Sequence, residues 1–329
     1  MPNPKVSVLL PARNAAAHLG ASLDSILKQY LTDFEIILIT QDSRDATKEI
    51  AEHYSKVDSR ILHIEDPSLG VGSALNLGVK AAAGEYLLRQ DADDISLPNR
   101  FLAQVSYMDK FSEIDVLGSG MKTIGRAEMT WKMPLIHDEI IVQFLARSSL
   151  LHPTICIRGS FARAHNILYS EIPNTAEDFD LWVRLMKTAT FANLDLTTVL
   201  YRIHSNQITQ KKPDEIWDST SRVRNRLLEL TVPDLVPSDI ELHENFVRGN
   251  AEIDTQQLSQ WFKKIFESNR ETQVFSHNAL SRFFDNEMVH ALAREKSNSL
   301  EKPLRSNLIA GLVRSIPITI RSRLKSFLD

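Results

Sequence analysis

Short apolar runs alternate with amphipathic stretches over roughly the first 120 residues. The first run, "VSVLL", is rich in strand-forming residues and stops at Pro11, as a buried strand does. Leu19, Leu23 and Ile26 then recur at helical spacing. The same alternation predicts strands at residues 6–10, 35–39, 60–64, 85–89 and 115–119, with helices at 19–30, 45–54, 72–83 and from about 98. Strands buried on both faces between helices indicate an α/β fold with a mostly parallel sheet.

The pattern changes after residue 120. Two further apolar runs, "TICIR" at 154–158 and "TTVLYRI" at 197–203, predict strands, and a helix is expected from about 178 to 187. Beyond "QKKPDE" at 210–215, apolar positions recur at helical spacing. We therefore predict an α/β domain over residues 1–210 and a helical C-terminal subdomain over residues 211–329.

The composition is that of a globular protein with a sizeable core, since 43% of the 329 residues are hydrophobic and 24% are charged. A formal net charge of −4 gives no electrostatic basis for nucleic-acid binding. The single cysteine, Cys156, excludes an internal disulfide and agrees with a reducing cytosol. The apolar run near the start is too short for a signal peptide, and no window of about 18 apolar residues could span a membrane. We expect a cytoplasmic protein.

Three carboxylates follow the predicted strand at 85–89: Asp91, Asp93 and Asp94 in "RQDADD". Carboxylates this close repel one another and raise each other's pKa unless a cation relieves the repulsion. Open parallel sheets bind ligands at the carboxyl ends of their strands. The cluster therefore favours a Mg²⁺ or Mn²⁺ site that holds nucleotide phosphates. The alternative is a solvated turn that starts a helix, with Ser96 near the cap and Pro98 in the first turn.

A second pair of acids opens the predicted helix in "TAEDFDLW". A carboxylate at a partly dry site can take the proton of an attacking hydroxyl as a general base. Thr175 and Asp178 also fit a variant of the capping box, which serves only to start the helix, and the local sequence leaves both interpretations open. Polar residues also end three other predicted strands, in "LPARN" (10–14), "TQDSRD" (40–45) and "YRIH" (201–204).

Taken together, these stretches resemble the family 2 glycosyltransferases of the GT-A fold. "VSVLLPARN" is similar to the opening strand and first nucleotide loop of the family, and residues 70–101 are similar to the segment that runs into its D-x-D motif. "AEDFDLWVRL" resembles the E-D motif, and "YRIH" resembles the histidine that closes the catalytic core. The resemblance covers about residues 5–207. The sequence of residues 74–98 is most similar to the bacterial branch of the family that makes capsule, exopolysaccharide and lipopolysaccharide sugars.

The resemblance implies a role for each acid of the cluster. Asp93 would bind the divalent metal, Mn²⁺ or Mg²⁺, and His204 would be a further contact to the metal or the diphosphate. Asp91 would lie on the ribose or donor-sugar side, and Asp94 would orient the donor.

The other matching positions complete the implied site. Asp178 would be the catalytic base, and Glu177 would orient the acceptor or the base. The remaining expected nucleotide-sugar contacts are Pro11, Arg13, Asn14, Gln41, Asp42, Asn76 and Arg89.

The chain departs from the family pattern in two places. The family usually reads "DDGSTD" after its second strand, where an acid contacts the nucleotide base, and this chain reads "TQDSRD". The amide of Gln41 can donate and accept hydrogen bonds, and Asp42 could replace the acid through a shift of one residue. The usual "GGYD" before the E-D motif is replaced by "HNILYS", which leaves acceptor recognition open.

The expected function is therefore that of an inverting, metal-dependent glycosyltransferase. It would move a sugar from a nucleoside diphosphate sugar, foremost a UDP-sugar, to a hydroxyl of a glycan or lipid-linked acceptor in surface polysaccharide synthesis. A nucleotidyltransferase is an alternative, but "PARNAAAHLG" lacks the glycine- and lysine-rich loop that would hold a triphosphate. The other alternative is a non-catalytic sugar-binding or scaffold protein of the same fold, which the altered "TQDSRD" motivates and the retained acids oppose.

The last stretch, "LIAGLVRSIPITIRSRLKSFL" at 308–328, is basic and amphipathic. Such a segment can lie on an anionic membrane surface, here the inner face of the bacterial cytoplasmic membrane. The alternative is a C-terminal helix that packs its apolar face on the protein, although Pro317 would break or kink one continuous helix.

Overall fold

The computed structural model describes residues 3–125, 128–170, 175–205, 207–249 and 253–298. Its strands are β1 (Val6–Ala12), β2 (Phe34–Gln41), β3 (Ile61–Asp66), β4 (Tyr86–Arg89), β5 (Ile95–Ser96), β6 (Val116–Ile124), β7 (Thr130–Trp131), β8 (Cys156–Arg158) and β9 (Phe191–Arg202). Its helices are α1 (Leu19–Leu27), α2 (Thr47–Val57), α3 (Val71–Ala81), α4 (Arg100–Lys110), α5 (His137–Gln143), α6 (Gly159–Ala164), α7 (Glu177–Leu185), α8 (Ile208–Lys211), α9 (Pro213–Thr231), α10 (Pro237–Arg248), α11 (Thr255–Thr272) and α12 (His277–Asn298). The predicted α/β class is confirmed.

The strands of the described chain form one sheet in the order β3-β2-β1-β4-β8-β6-β9-β5, with β7 paired to β6. The pairings β1–β2, β1–β4, β2–β3 and β6–β9 are parallel, and each antiparallel pairing involves only two or three residues. The sheet is therefore mostly parallel, as predicted. Because β1 to β4 run in the same direction, their carboxyl ends lie along one edge, where ligands bind in open sheets.

The strand predicted at 115–119 becomes β6, and it does not lie beside β4. The short strand β8 lies between them and is antiparallel to both, so that Ile157 faces Leu87 on one side and Val116 on the other. A buried run of three residues carries no signal of its direction in the sequence, so the local pattern did not predict this reversal.

Helices cover both faces of the sheet. On one face Leu10 of β1 belongs to a fully buried cluster with Leu23 of α1 and Phe101 of α4. On the other face α3 lies so close that a side chain at Gly78 would meet Leu9 at 3.2 Å. The polar loops at the carboxyl edge therefore extend from strands that are held tightly between helices.

The chain divides into two compact units, residues 1–228 and 229–329. Helix α9 begins in the first unit, where Arg226 of this helix lies 2.6 Å from the carboxylate of Asp180 in α7. The division therefore falls beyond the predicted boundary near residue 210, and the assignment of separate functions to the two parts stays a prediction. In the second unit the buried indole of Trp261 donates a hydrogen bond of 3.0 Å to His243.

Among the described helices, none is both long enough and apolar enough to cross a bilayer. The basic segment at 308–328 lies outside the described residues, so both interpretations of it stay predictions.

Candidate active site

The acidic loop after β4 is fixed from behind by Gln90, whose side chain is fully buried. Its amide nitrogen donates to the backbone carbonyls of Asp91 and Asp94, at 3.1 and 3.0 Å, and to the hydroxyl of Ser22 at 3.2 Å. Its carbonyl oxygen accepts a bond from the Ser96 hydroxyl at 2.7 Å. One amide group therefore holds both ends of the acidic turn against α1.

A buried guanidinium completes this support. Arg100, at the start of α4, donates to the Gln90 carbonyl at 2.8 Å, to the Ser96 hydroxyl at 2.9 Å and to the Arg89 backbone at 2.7 Å. Burial lowers the pKa of Arg100 to about 10, which still leaves the group charged at neutral pH. Ser96 lies in β5 rather than at the cap of α4, whose N-cap residue Asn99 makes no side-chain cap bond. The helix-start interpretation of the acidic loop therefore lacks its expected cap.

The three acids of the loop converge. Ligand oxygens of Asp91, Asp93 and Asp94 all lie within 4.8 Å of one another. Asp94 is fully buried, and its Oδ1 accepts a bond of 2.9 Å from the Arg202 backbone. Its Oδ2 is buried without a hydrogen-bond partner among the described residues. Burial, together with the charges of Asp91 and Asp93, raises the pKa of Asp94 well above its usual range. A buried, unpaired carboxylate oxygen beside two further acids is a donor set that fits a hard divalent cation.

The residues after β9 meet this cluster from the other side. His204 Nε2 lies 2.9 Å from the Asp93 carboxylate, and Arg202 Nε donates to the Asp93 carbonyl at 2.9 Å. Gln207 fixes the turn between them, because its side chain bonds both the Arg202 carbonyl and the His204 N–H. The imidazole ring of His18, just before α1, lies with its centroid 4.9 Å from that of His204. Burial, with the nearby Arg202 and His204, lowers the pKa of His18, so its ring is neutral at pH 7.

Arg89 is the buried cation next to the acids. Its side chain is about 7% exposed and forms an ion pair with Asp91. Burial alone would lower the pKa of Arg89, but the Asp91 carboxylate outweighs it and the pKa is raised. Arg89 therefore stays charged. The backbone carbonyl of Asp91 also accepts a bond of 2.9 Å from Ser22 in α1.

The second pair of acids begins α7 and lies within electrostatic reach of Arg89 and Asp91. Burial, and then the charge of Asp178, raises the pKa of Glu177 to about 7. Burial also raises the pKa of Asp178. The capping-box interpretation does not hold, because α7 has Ala176 as its N-cap without a side-chain cap bond and Thr175 Oγ1 has no partner among the described residues. The roles of the two carboxyls as base and orienting group stay predictions.

The carboxyl ends of β2 and β3 form a buried polar pair. Gln41, where the family has an acid, donates from its amide nitrogen to Asp66 at 2.9 Å and to the backbone carbonyls of Ser68 and Gly70 at 3.1 and 3.0 Å. Its amide oxygen receives no hydrogen bond from the described residues. Asp66 ends β3 and was not singled out from the sequence, although its position at the same edge was the available signal.

The loops after β1 and β2 hold each other. Asn14, at φ 50°, accepts a bond of 2.9 Å from the Arg44 N–H, and its own N–H donates to Ser43. Arg13 donates to the Asp42 carbonyl at 3.1 Å. Arg13, Asn14 and Asp42 are exposed at this edge. Pro11 lies in β1 and is half-buried. Their expected contacts with the donor stay predictions.

Asn76 bonds a segment of the chain outside the acidic loop. It is buried in α3, and its amide group bonds both the N–H and the carbonyl of Tyr169, at 2.7 and 3.0 Å. These bonds hold the segment that replaces the family's "GGYD" against α3. A direct donor contact of Asn76 stays a prediction.

The comparisons with known proteins identify the family. The model of "Glycosyl transferase family 2" matches residues 7–169. A Haemophilus influenzae protein named "Uncharacterized glycosyltransferase" is 30% identical over 233 residues, which cover 67% of this chain and 72% of the relative. This chain belongs to glycosyl transferase family 2.

Other members and solved structures agree with this assignment. The Escherichia coli "O-antigen biosynthesis glycosyltransferase WbnJ" is 29% identical over 225 residues, which cover 66% of this glycosyltransferase and 86% of that one. The structure of Staphylococcus aureus TarS 1–349 with UDP-GlcNAc has a TM-score of 0.60 at 19% identity and covers 90% and 91% of the two chains. The Pyrobaculum calidifontis mannosyltransferase PcManGT with GDP-Man and Mn²⁺ has a TM-score of 0.56 at 14% identity and covers 94% and 85%. These structures share the GT-A fold, which confirms the predicted fold class.

Several residues that shape the site of this glycosyltransferase were missed from the sequence. They are His18, Asp66, Gln90, Arg100 and Gln207. Each is a polar residue whose role depends on partners far along the chain. Its local sequence therefore carries little signal.

Proposed function

We propose that this glycosyltransferase moves a sugar from a nucleoside diphosphate sugar, foremost a UDP-sugar, to a hydroxyl of a glycan or lipid-linked saccharide, with inversion at the anomeric carbon. The observation that carries the proposal is the unpaired, buried Asp94 oxygen beside Asp91, Asp93 and His204, at the nucleotide edge of the sheet. The solved structures of the same fold with UDP-GlcNAc and with GDP-Man and Mn²⁺ support it.

The residues that would hold a divalent metal are Asp93 and His204, with Asp91 and Asp94 beside them. When bound there, Mn²⁺ or Mg²⁺ would act as a Lewis acid and neutralise charge on the departing diphosphate. Burial raises the pKa of Asp91, and the ion pair with Arg89 opposes that rise and holds the carboxylate beside the guanidinium. We assign Asp91 to the ribose or donor-sugar side.

The reaction is a single displacement. The acceptor oxygen forms a bond to the anomeric carbon while the bond from that carbon to the diphosphate oxygen breaks, and the electron pair leaves with the diphosphate. Asp178 takes the proton of the attacking hydroxyl. Glu177 orients the acceptor, and its pKa, raised to about 7 by burial, favours a bound proton more than that of an ordinary glutamate. An acid that keeps its proton can donate a hydrogen bond to an acceptor oxygen.

The base of the nucleotide would lie against Gln41 and Asp66. Because the amide nitrogen of Gln41 is already bonded to three oxygens, its amide oxygen is the group that remains to accept a bond. The imide N–H of uracil is a donor of the matching kind. This supports UDP as the nucleotide despite the missing acids of "TQDSRD".

The acceptor is proposed to be a growing surface glycan, because relatives include a glycosyltransferase of O-antigen biosynthesis. We place the reaction in the cytoplasm, where nucleotide sugars are made, with the basic segment 308–328 as a contact to the inner face of the membrane.

A thermal-shift screen of nucleotide sugars tests the proposal. A ligand that binds only the folded state raises stability by about 2.7 kcal/mol at a hundredfold excess over its Kd. We expect a UDP-sugar with Mn²⁺ to raise the Tm of the wild type, and this rise to vanish with EDTA or in Asp93→Ala. A panel in which no nucleotide sugar raises the Tm with Mn²⁺ would favour the non-catalytic alternative. Release of pyrophosphate from a nucleoside triphosphate would favour a nucleotidyltransferase.

A further inference from the structure

We propose that His18 is a further contact for the metal–diphosphate group, so that His18 and His204 present two imidazoles beside the carboxylates and make the site prefer Mn²⁺ to Mg²⁺. This inference rests on the proposed function and adds a residue that no motif of the chain contains.

The first argument is position. The His18 ring lies 4.9 Å from the His204 ring, centroid to centroid, with an angle of 51° between the planes. His204 in turn lies 2.9 Å from the Asp93 carboxylate. One turn beyond His18, Ser22 of α1 donates to the Asp91 carbonyl at 2.9 Å. The start of α1 is therefore anchored to the acidic loop itself, and His18 is held beside that loop.

The second argument is availability. One ring nitrogen of His18, which is half-buried, donates a hydrogen bond to the backbone of Ala17, and no described side chain bonds the ring. Two other histidines of the first unit bond side chains through their rings, His63 with Thr40 at 2.8 Å and His152 with Tyr169 at 3.3 Å. The other ring nitrogen of His18 is therefore the one that remains for a ligand.

The third argument is chemistry. The buried, unpaired Oδ2 of Asp94 independently indicates that a cation completes this cluster. Mg²⁺ takes oxygen ligands almost exclusively, whereas first-row transition ions also bind nitrogen, and Mn²⁺ is the one among them that oxygen-rich sites suit best. Each imidazole at the rim of the acids thus increases the preference for Mn²⁺ over Mg²⁺.

The test measures binding and needs neither the donor sugar nor the acceptor. The probes are Mn²⁺ and Mg²⁺, each with the tightest binder among UDP, GDP, CDP and dTDP, by isothermal titration calorimetry. His18→Phe keeps a ring against His204 without its nitrogens, and His18→Gln keeps a polar group without the ring. The matched control is His53→Ala, because His53 is exposed on α2.

We expect both His18 variants to lose about tenfold in affinity for the Mn²⁺ complex, as losses of residues around metal ligands do. The affinity for the Mg²⁺ complex should change little, and His53→Ala should match the wild type. Wild-type affinity in His18→Phe would show that the ring only packs against His204, and would overturn the inference.

Asp93→Ala separates this inference from the proposed function. If the wild type shows no metal-dependent binding of any nucleoside diphosphate, both fall. If Asp93→Ala loses binding and His18→Phe does not, only the role of His18 falls. The Tm of each metal-free variant shows whether it folds as the wild type does. If His18→Phe melts below the wild type, the binding result of His18→Gln is the one that tests the inference.

Discussion

Replacing Gln90 with leucine should destabilise the first unit strongly, because five hydrogen bonds end at this one buried amide. A hydrogen bond contributes about 0.5–1.5 kcal/mol net, and a buried group left without a partner costs about 1–3 kcal/mol. Ser96 and Arg100 keep a bond to each other, whereas the Asp94 carbonyl loses its described side-chain partner. The expected loss is therefore about 3–4 kcal/mol rather than the full sum of the bonds.

The assay is thermal unfolding followed by circular dichroism, with Gln210→Leu as the control, since Gln210 is exposed. For a unit of about 150–250 residues each kcal/mol shifts the Tm by about 2–4 °C, so Gln90→Leu should melt about 6–16 °C lower. Gln90→Glu tests the amide nitrogen of Gln90 separately from its amide oxygen. It keeps the oxygen toward Arg100 but turns an acceptor toward the carbonyls of Asp91 and Asp94, so it should also be destabilised at neutral pH. A Tm for Gln90→Leu within about 2 °C of the wild type would refute the idea that Gln90 holds the acidic loop.

Three further predictions concern the acids and the C-terminus. Asp178→Asn should bind the donor as the wild type does but lose about 10²–10⁴-fold in transfer rate, and near-normal turnover would remove Asp178 as the base. Glu177 has a pKa raised from 4.5 to about 7 in the folded state, so its protonated form stabilises the metal-free protein below pH 4.5 and this contribution is lost as pH rises through 7. Glu177→Gln should therefore flatten the decline of Tm between these pH values, and an unchanged decline would contradict the raised pKa. Full-length protein should sediment with anionic liposomes, and deletion of residues 304–329 should reduce this, whereas equal sedimentation would reject the membrane contact.

Local sequence pattern predicts the parallel part of the fold because each long strand is an apolar run bounded by polar loops. Strands β1 to β4 follow this rule, and their carboxyl ends bring the acidic loop to the expected edge. Strand β8 breaks the regularity, since a strand of three residues cannot reveal an antiparallel insertion between β4 and β6. Short-range periodicity indicates which residues of a strand are buried. The direction of the strand and the strands that pair with it depend on contacts far along the chain.

The same limit applies to the site. Asp91, Asp93 and Asp94 could be found because carboxylates that repel one another need a cation. Gln90 and Arg100 could not, because a buried amide or guanidinium is recognised only by its partners. His18 is separated from His204 by most of the first unit, and only the fold brings their rings together.

The most direct test of the central claim is calorimetric titration of the best nucleotide sugar from the screen into the wild type and Asp93→Ala. The account predicts tight binding to the wild type in Mn²⁺, weak binding in EDTA, and equally weak binding to Asp93→Ala under both conditions. Binding to the wild type that is equally tight in EDTA, or that survives intact in Asp93→Ala with Mn²⁺, would contradict a metal–diphosphate site at the acidic loop.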